Sequence, residues 1–83
     1  MKENSKKVFM YLKEHNGEDL TAADVAEALG LGKRSVDGIF TAFSKKKWGV
    51  RTPAEIELED GTHKPIKLLS LTEAGLAVDP DAE

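Results

Sequence analysis

The sequence predicts an α+β fold in which three helices are followed by a β-hairpin. Two observations carry this prediction: apolar residues recur at helical spacing in the first half, and apolar and polar residues alternate around an Asp-Gly turn in the second half. The first helix is predicted over residues 5–15. With 83 residues and no cysteine, the chain has the length of one domain and cannot form a disulfide. We expect a single domain over residues 1–83, with its core in residues 5–76.

The second helix carries signals for its start and its end. Thr21 can cap its first turn, and Asp24, three residues later, completes a capping box. Gly30 is typical of a helix end in the left-handed conformation. The helix is therefore short, and the segment Gly30-Leu31-Gly32 forms a tight turn into the next helix.

The third helix is predicted over residues 33–46 and has two different faces. Its buried stripe, at three- and four-residue spacing, contains Val36, Ile39, Phe40 and Phe43. A polar, partly cationic face remains, and it contains Arg34, Asp37, Gly38, Thr41 and Lys45. One side of this helix therefore belongs to the core and the other to solvent or a partner.

The C-terminal part of the chain predicts a hairpin and a short last helix. Apolar and acidic residues alternate over residues 54–59, residues 60–62 are a turn signal, and residues 64–71 form the return strand. Thr72 is a further cap that begins a short turn or helix. We expect residues 80–83 to form a frayed acidic tail.

The register of the hairpin depends on the length of its loop. A three-residue loop pairs Ile56 with Ile66, whereas a two-residue Asp-Gly turn pairs Ile56 with Pro65. We favour the longer loop because it keeps the two isoleucines on one apolar face, and the burial pattern fixes register.

Charge is unevenly distributed although the net charge is only −3. Residues 33–51 contain six cations and one acid, whereas residues 52–83 contain two cations and eight acids. A basic middle between acidic flanks is typical of a localised phosphate-facing patch. The alternative is a solvated helix end, where lysines interact favourably with the helix dipole. No apolar run is long enough for a signal peptide or a membrane span, so we expect a soluble, cytoplasmic protein.

The order of elements and two motifs resemble a winged helix-turn-helix domain. The segment AADVAEALGLGKRSV (residues 22–36) matches the helix-turn-helix pattern of a small residue in the second helix, a Leu-Gly-Leu turn and an early Ser-Val pair. The sequence LTEAG (residues 71–75) resembles the segment that follows the wing in bacterial MarR- and PadR-like regulators. The resemblance implies a winged helix-turn-helix fold, a three-helix bundle followed by a β-hairpin wing. It also implies transcription regulation in a prokaryote or a phage.

The resemblance further implies double-stranded DNA as the partner, with a recognition helix over about residues 33–47 in the major groove. A homodimer or a larger assembly would then bind DNA more tightly than one chain. The resemblance implies no cofactor, no metal and no membrane. Arg34 would pair with guanine, and Asp37 would accept a hydrogen bond from cytosine. The positions implied in DNA binding are Lys33, Arg34, Ser35, Asp37, Gly38, Thr41, Lys45, Lys46, Lys47, His63 and Lys64.

A second hypothesis is a winged-helix module that binds a protein and no DNA. The predicted wing is acidic, with Glu55, Glu57, Glu59 and Asp60. Gly38 has no side chain at a base-reading position, and Asp37 follows Lys33 at the spacing of an intrahelical ion pair. The only histidines, His15 and His63, lie far apart in sequence without a nucleophile signature, so we do not expect an enzyme.

Overall fold

The computed structural model describes residues 1–81, which form three helices, an antiparallel two-stranded hairpin and a last helical turn. The elements are α1 (Glu3–Glu14), α2 (Ala22–Leu29), α3 (Lys33–Lys45), β1 (Gly49–Glu57), β2 (His63–Leu71) and α4 (Glu73–Leu76). This order confirms the predicted fold class, a three-helix bundle followed by a β-hairpin wing. No helix in this part of the chain is long and apolar enough to cross a membrane.

The core lies between the three long helices and the base of the hairpin. Its buried side chains are Val8, Phe9, Leu12, Ala22, Val25, Ala26, Val36, Phe40, Phe43, Leu69 and Leu71. Phe43 meets the rings of Phe9 and Phe40 edge to face, with centroids 5.9 and 6.2 Å away. Such pairs stabilise a core beyond the area that they bury. Val36, Phe40 and Phe43 form the stripe predicted for α3, whereas Ile39 is half-buried at its edge.

The turn between α2 and α3 has the predicted chemistry. Thr21 Oγ1 accepts from the Asp24 N–H at 3.2 Å, and the Asp24 carboxylate accepts from the Thr21 N–H at 3.0 Å. The capping box is therefore complete. At the other end of α2, Gly30 has φ 68°, and the Leu31 N–H donates to the Ala26 carbonyl at 2.9 Å. This is a Schellman ending, in which the left-handed residue is normally glycine.

The end of α3 repeats the Schellman hydrogen bonds with a lysine at the left-handed position. The Trp48 N–H donates to the Phe43 carbonyl at 2.9 Å, and the Lys47 N–H donates to the Ser44 carbonyl at 3.0 Å. Lys47 has φ 65° and is the only non-glycine residue with positive φ among residues 1–81. The helix ends at Lys45, so the predicted helix boundary at residues 46–47 is one or two residues too long.

The LTEAG motif fastens the end of the hairpin to this turn. The Thr72 hydroxyl donates to the Lys47 carbonyl at 2.7 Å and accepts from the Gly75 N–H at 3.0 Å. The Thr72 N–H donates to the Trp48 carbonyl at 2.9 Å. A Cβ on Gly75 would overlap the same Trp48 carbonyl oxygen, so only glycine fits there. Packing therefore explains the motif.

The hairpin register differs from both predicted registers. Ile56 pairs with Lys64, and Ile66 pairs with Ala54. The favoured pairing of Ile56 with Ile66 is therefore wrong by two residues, and the alternative pairing with Pro65 is wrong by one. Because side chains alternate between the faces of a strand, a shift of two residues keeps Ile56 and Ile66 on one face, as predicted.

The loop of the hairpin explains the shift. The Leu58 N–H donates to the Thr62 carbonyl at 2.7 Å, which leaves three loop residues, 59–61. The Gly61 N–H donates back to the Leu58 carbonyl at 2.9 Å, and Gly61 has φ 85°. A three-residue hairpin loop places its left-handed residue last, and Gly61 is the loop residue that adopts this conformation without a Cβ clash. The loop therefore lies one residue earlier than predicted.

The C-terminal residues pack against the rest of the chain up to Asp81. Pro80 is buried and Val78 packs against the core. The Lys6 ammonium donates to the Asp81 carboxylate, and this hydrogen bond and the charge of Lys6 hold the pKa of Asp81 below its usual value. The predicted frayed tail is therefore wrong for residues 80–81. Residues 82–83 lie outside the described part of the chain.

Candidate nucleic-acid interface

The exposed face of α3 carries four of the residues predicted to face DNA. At 100° per residue, Arg34, Gly38, Thr41 and Lys45 lie on the side of the helix opposite Phe40. All four are exposed, whereas Phe40 is completely buried. The amphipathic pattern of the helix thus turns one set of residues to the core and this set to solvent.

The first turn of α3 brings together the predicted cations. Lys33, Arg34 and Ser35 are all exposed. Gly32 precedes them and offers no side-chain hydrogen bond to the first N–H groups of the helix. The positive end of the helix dipole therefore lies beside two cationic side chains, an arrangement that favours a phosphate group.

Asp37 lies between the core and the exposed face and moderates this charge. Its Oδ2 is 3.8 Å from Lys33 Nζ, the intrahelical pair that the spacing predicted. Both side chains are substantially exposed. Solvent-exposed pairs of this kind contribute only about 0.3–0.5 kcal/mol, so Lys33 remains available to a stronger anion.

Arg51, to which the sequence analysis assigned no role, joins β1 to α3. Its Nη2 donates to the Asp37 carbonyl and to Thr41 Oγ1, both at 3.1 Å. The Thr41 hydroxyl itself donates to the same Asp37 carbonyl at 2.8 Å. The Arg51 guanidinium also lies 5.0 Å from the centre of the Phe40 ring. The alternation of faces along a strand was the signal that could have indicated this contact, because Arg51 shares a face of β1 with the buried Gly49.

The three lysines at the end of α3 are exposed but have different surroundings. Lys45 is the last residue of the helix, and Lys46 and Lys47 lie in the turn that follows. Lys46 Nζ lies 4.5 Å from the centre of the Trp48 ring, a cation–π contact. Trp48 is half-buried and packs against Phe43, at the edge of the core. The three lysines form the cationic, exposed part of the surface at the end of α3.

The tip of the hairpin is separate from the α3 surface. His63 and Lys64 are exposed, and His63 Nδ1 lies 3.9 Å from Glu55 Oε2. At about 3.3 Å per residue, the end of β1 lies about 20 Å from Arg51, where the strand contacts α3. The structure therefore groups nine predicted residues on α3 and its end, and places the other two at the distant tip.

The outer part of the hairpin, including its loop, is acidic. Glu55, Glu57, Glu59 and Asp60 are all exposed. Hydrogen bonds from the Thr62 hydroxyl at 2.6 Å and the Thr62 N–H at 3.0 Å hold the pKa of Asp60 below its usual value, so it is ionised at neutral pH. Within residues 1–81, no group of three or more histidine, aspartate or glutamate side chains is placed to hold a metal ion.

Comparison with known proteins gave matches to solved structures. No family model and no curated protein matches the sequence. Similar structures are those of MepR from Staphylococcus aureus: a mutant from a multidrug-resistant clinical isolate (TM-score 0.74, 22% identity), a second point mutant (0.72, 25%) and a MepR–DNA complex (0.72, 22%). Each alignment covers 92% of this chain and, respectively, 50%, 51% and 56% of the MepR chain.

The chain thus spans about half the length of the MepR chains that it matches. MepR is a MarR-family transcription regulator of the S. aureus multidrug efflux pump MepA. The likeness covers the three helices and the hairpin, and it confirms the resemblance drawn from the residues of the turn and the LTEAG motif. This chain has the winged-helix fold found in MepR.

Proposed function

We propose that this chain binds double-stranded DNA as a winged-helix transcription regulator, with α3 in the major groove. The observation that carries the proposal is the exposed face of α3, where Arg34, Thr41 and Lys45 lie opposite the core and Lys33 flanks an uncapped N-terminus. The major groove admits an α-helix, and cations beside it neutralise phosphates, which dominate affinity. A MepR–DNA complex has the same fold and supports the proposal.

Bases are read, in this proposal, from the middle of α3. Arg34 pairs with guanine O6 and N7, and Asp37 accepts from cytosine N4. Gly38 lets the helix backbone approach the bases. The Thr41 hydroxyl already donates to the Asp37 carbonyl and accepts from Arg51, so its methyl group is the part suited to a thymine methyl.

Phosphates are held at three places around this centre. Lys33 and Ser35 bind one at the start of α3, and Lys45, Lys46 and Lys47 bind others at its end. His63 and Lys64, the first residues of β2 after the wing loop, contact the backbone near the wing tip. One such module buries only about 600–1,000 Å² of protein surface on DNA, so we propose that a homodimer or larger assembly acts in the cytoplasm, without enzymatic activity.

A protein-interaction module is the second candidate function, and the hairpin favours it. Val50 and Ile56 lie on one face of β1 and are 46% and 42% exposed, and Leu58, directly after the strand, is 40% exposed. An apolar strip beside glutamates suits a protein partner better than a phosphate backbone. The two candidates use different surfaces, so they are separable by experiment.

Charge reversal on α3 tests the DNA-binding proposal. The double variant Lys33→Glu/Arg34→Glu is compared with Lys7→Glu/Lys13→Glu, which makes the same charge change at exposed positions of α1. Fluorescence anisotropy with a generic duplex at low salt gives the affinities, and circular dichroism checks the fold. We expect the α3 variant to lose binding and the α1 variant to retain most of it. Absence of binding by the unaltered protein, or equal loss in both variants, contradicts the proposal.

A further inference from the structure

The base of the wing packs against α3 at one aromatic ring, that of Phe40, which two residues of β1 contact. Phe40 is completely buried in α3. A Cβ on Gly49 would lie 2.7 Å from Phe40 Cζ, so the first residue of β1 rests directly on this ring. Arg51, two residues along the same face of the strand, lies over the ring at 5.0 Å. The base of the wing is thus seated on Phe40 by Gly49 and Arg51.

Arg51 adds directional contacts to this seat. Nη2 of Arg51 donates to two acceptors on α3, the Asp37 carbonyl and Thr41 Oγ1. The side chain is half-buried, and its guanidinium is planar. The contact with the Phe40 ring and the two hydrogen bonds from one nitrogen together restrict the orientation of β1 relative to α3.

The rest of the wing has little to hold its position. Every residue from Glu55 to Pro65 is exposed, and the sheet has two strands. A lone two-stranded hairpin is marginally stable in water. Because the tip lies about 20 Å beyond Arg51, a rotation of about 10° at the base would move it by about 3–4 Å, enough to break a hydrogen bond to phosphate.

We propose that Arg51 is a positioning residue, which sets the angle between α3 and the wing so that the helix and His63–Lys64 reach DNA together. This inference rests on the proposed DNA-binding function. It differs from a direct phosphate contact by Arg51, since Nη2 donates within the chain and the guanidinium lies over the Phe40 ring. A contact through Nη1 or Nε is the alternative that the following variants test.

Two substitutions at Arg51 distinguish positioning from contact. Arg51→Lys keeps the charge but loses the planar fork, and Arg51→Met loses both. If Arg51 positions the wing, both variants weaken duplex binding about three- to tenfold, and both lower the slope of log affinity against log salt as much as His63→Ala/Lys64→Ala does, because the phosphate contacts of the tip are lost. If Arg51 binds phosphate, Arg51→Lys stays near the unaltered protein and Arg51→Met lowers the slope by about one.

Arg51→Met is also made in a variant that lacks the tip side chains, which shows whether its effect on affinity depends on the wing. In His63→Ala/Lys64→Ala the tip contacts are already absent, so Arg51→Met should cause no further loss of affinity. Equal losses in both backgrounds, or no loss from the tip variant itself, overturn the inference. Melting curves verify that each variant is folded, and Arg51→Lys carries the test if Arg51→Met unfolds.

The outcomes also separate the two proposals. If the unaltered protein binds duplex DNA and the Arg51 variants bind equally well or follow the contact pattern, only the positioning role is overturned. If the unaltered protein does not bind at low salt, the proposed function fails and the positioning role fails with it.

Discussion

Helix α3 and the hairpin of this chain both have one buried and one exposed side, yet their exposed surfaces carry opposite charge. Along α3, Phe40 faces the core while Arg34 and Lys45 face solvent. The hairpin buries only its base, and its outer part exposes glutamates together with apolar side chains. Because a phosphate backbone attracts one surface and repels the other, the comparison supports our proposal that DNA binds at α3 and at His63–Lys64. The wing strands are left to solvent or to a protein partner.

Matched charge reversals test this comparison with the largest expected effect. Lys33→Glu/Arg34→Glu should lower affinity for a generic duplex by at least about 100-fold, because each lost base or phosphate contact is worth about 1–3 kcal/mol. Glu57→Lys/Glu59→Lys on the hairpin should change affinity much less, with a gain of at most about tenfold, because these side chains flank the proposed His63–Lys64 contact and make no contact of their own. Titrations by fluorescence anisotropy compare the two. A gain above about tenfold for the hairpin variant would mean that the wing strands lie along the backbone.

The same glycine substitution should have opposite effects in the two elements. Gly49→Ala should destabilise the protein by about 1–3 kcal/mol, because its Cβ would meet the buried Phe40 ring. Gly38→Ala should stabilise it by about 0.5–1 kcal/mol, because nothing lies within 4 Å of that Cβ and alanine is the better helix former. Urea denaturation measures both. Destabilisation by Gly38→Ala would indicate a packing role for Gly38 that the structure does not contain.

Substitution of Lys47, the residue with positive φ at the end of α3, should change stability and DNA binding in opposite directions. Lys47→Gly removes the strain of a Cβ at positive φ and should stabilise the protein by up to about 1 kcal/mol. It should also weaken DNA binding a few-fold and lower the salt slope by about one, because one phosphate contact is lost. Lys47→Ala is the control, since it removes the same charge and retains the Cβ. Equal stability of Lys47→Gly and Lys47→Ala would contradict backbone strain at residue 47.

Acid should weaken the wing turn and the C-terminal contact slightly. Hydrogen bonds lower the pKa of Asp60, and the hydrogen bond and charge of Lys6 lower that of Asp81, each from an ordinary value of 3.8. Their contribution to stability is therefore present above that pH and is lost as pH falls through the lowered values. Carboxyl titration by NMR checks the direction. Values of 3.8 or higher in the folded protein would contradict it.

Local chemistry made the helical half predictable from sequence. The capping box of Thr21 and Asp24 and the left-handed Gly30 are interactions between near neighbours, so their spacing alone identified both ends of α2. The period of α3 likewise separated its buried stripe from its exposed face. Lys47 was not recognised as a left-handed residue, because the hydrogen bond from Thr72 that accompanies this turn comes from 25 residues away.

Tertiary contacts explain what sequence did not show. The hairpin register depended on a three-residue loop that ends at Gly61. The favoured loop, residues 60–62, placed Gly61 in the middle, and the two-residue alternative ended at Gly61 but was one residue too short. Arg51 acquires its role only when β1 folds against α3, and Pro80 is buried only because the C-terminal residues pack on the helices. The contacts of Arg51 and Pro80 therefore depend on elements that are distant in sequence.

Residue-resolved NMR titration with duplex DNA tests the central claim most directly, and a 9.1-kDa chain suits it. Backbone amide shifts are followed as DNA is added at low salt and again at high salt. We expect the largest perturbations over residues 33–41 and 45–47, with smaller ones at residues 63–64 and at their strand partners 56–57, and reversal by salt. Perturbations centred on residues 54–59, or none at low salt, would contradict DNA binding through α3.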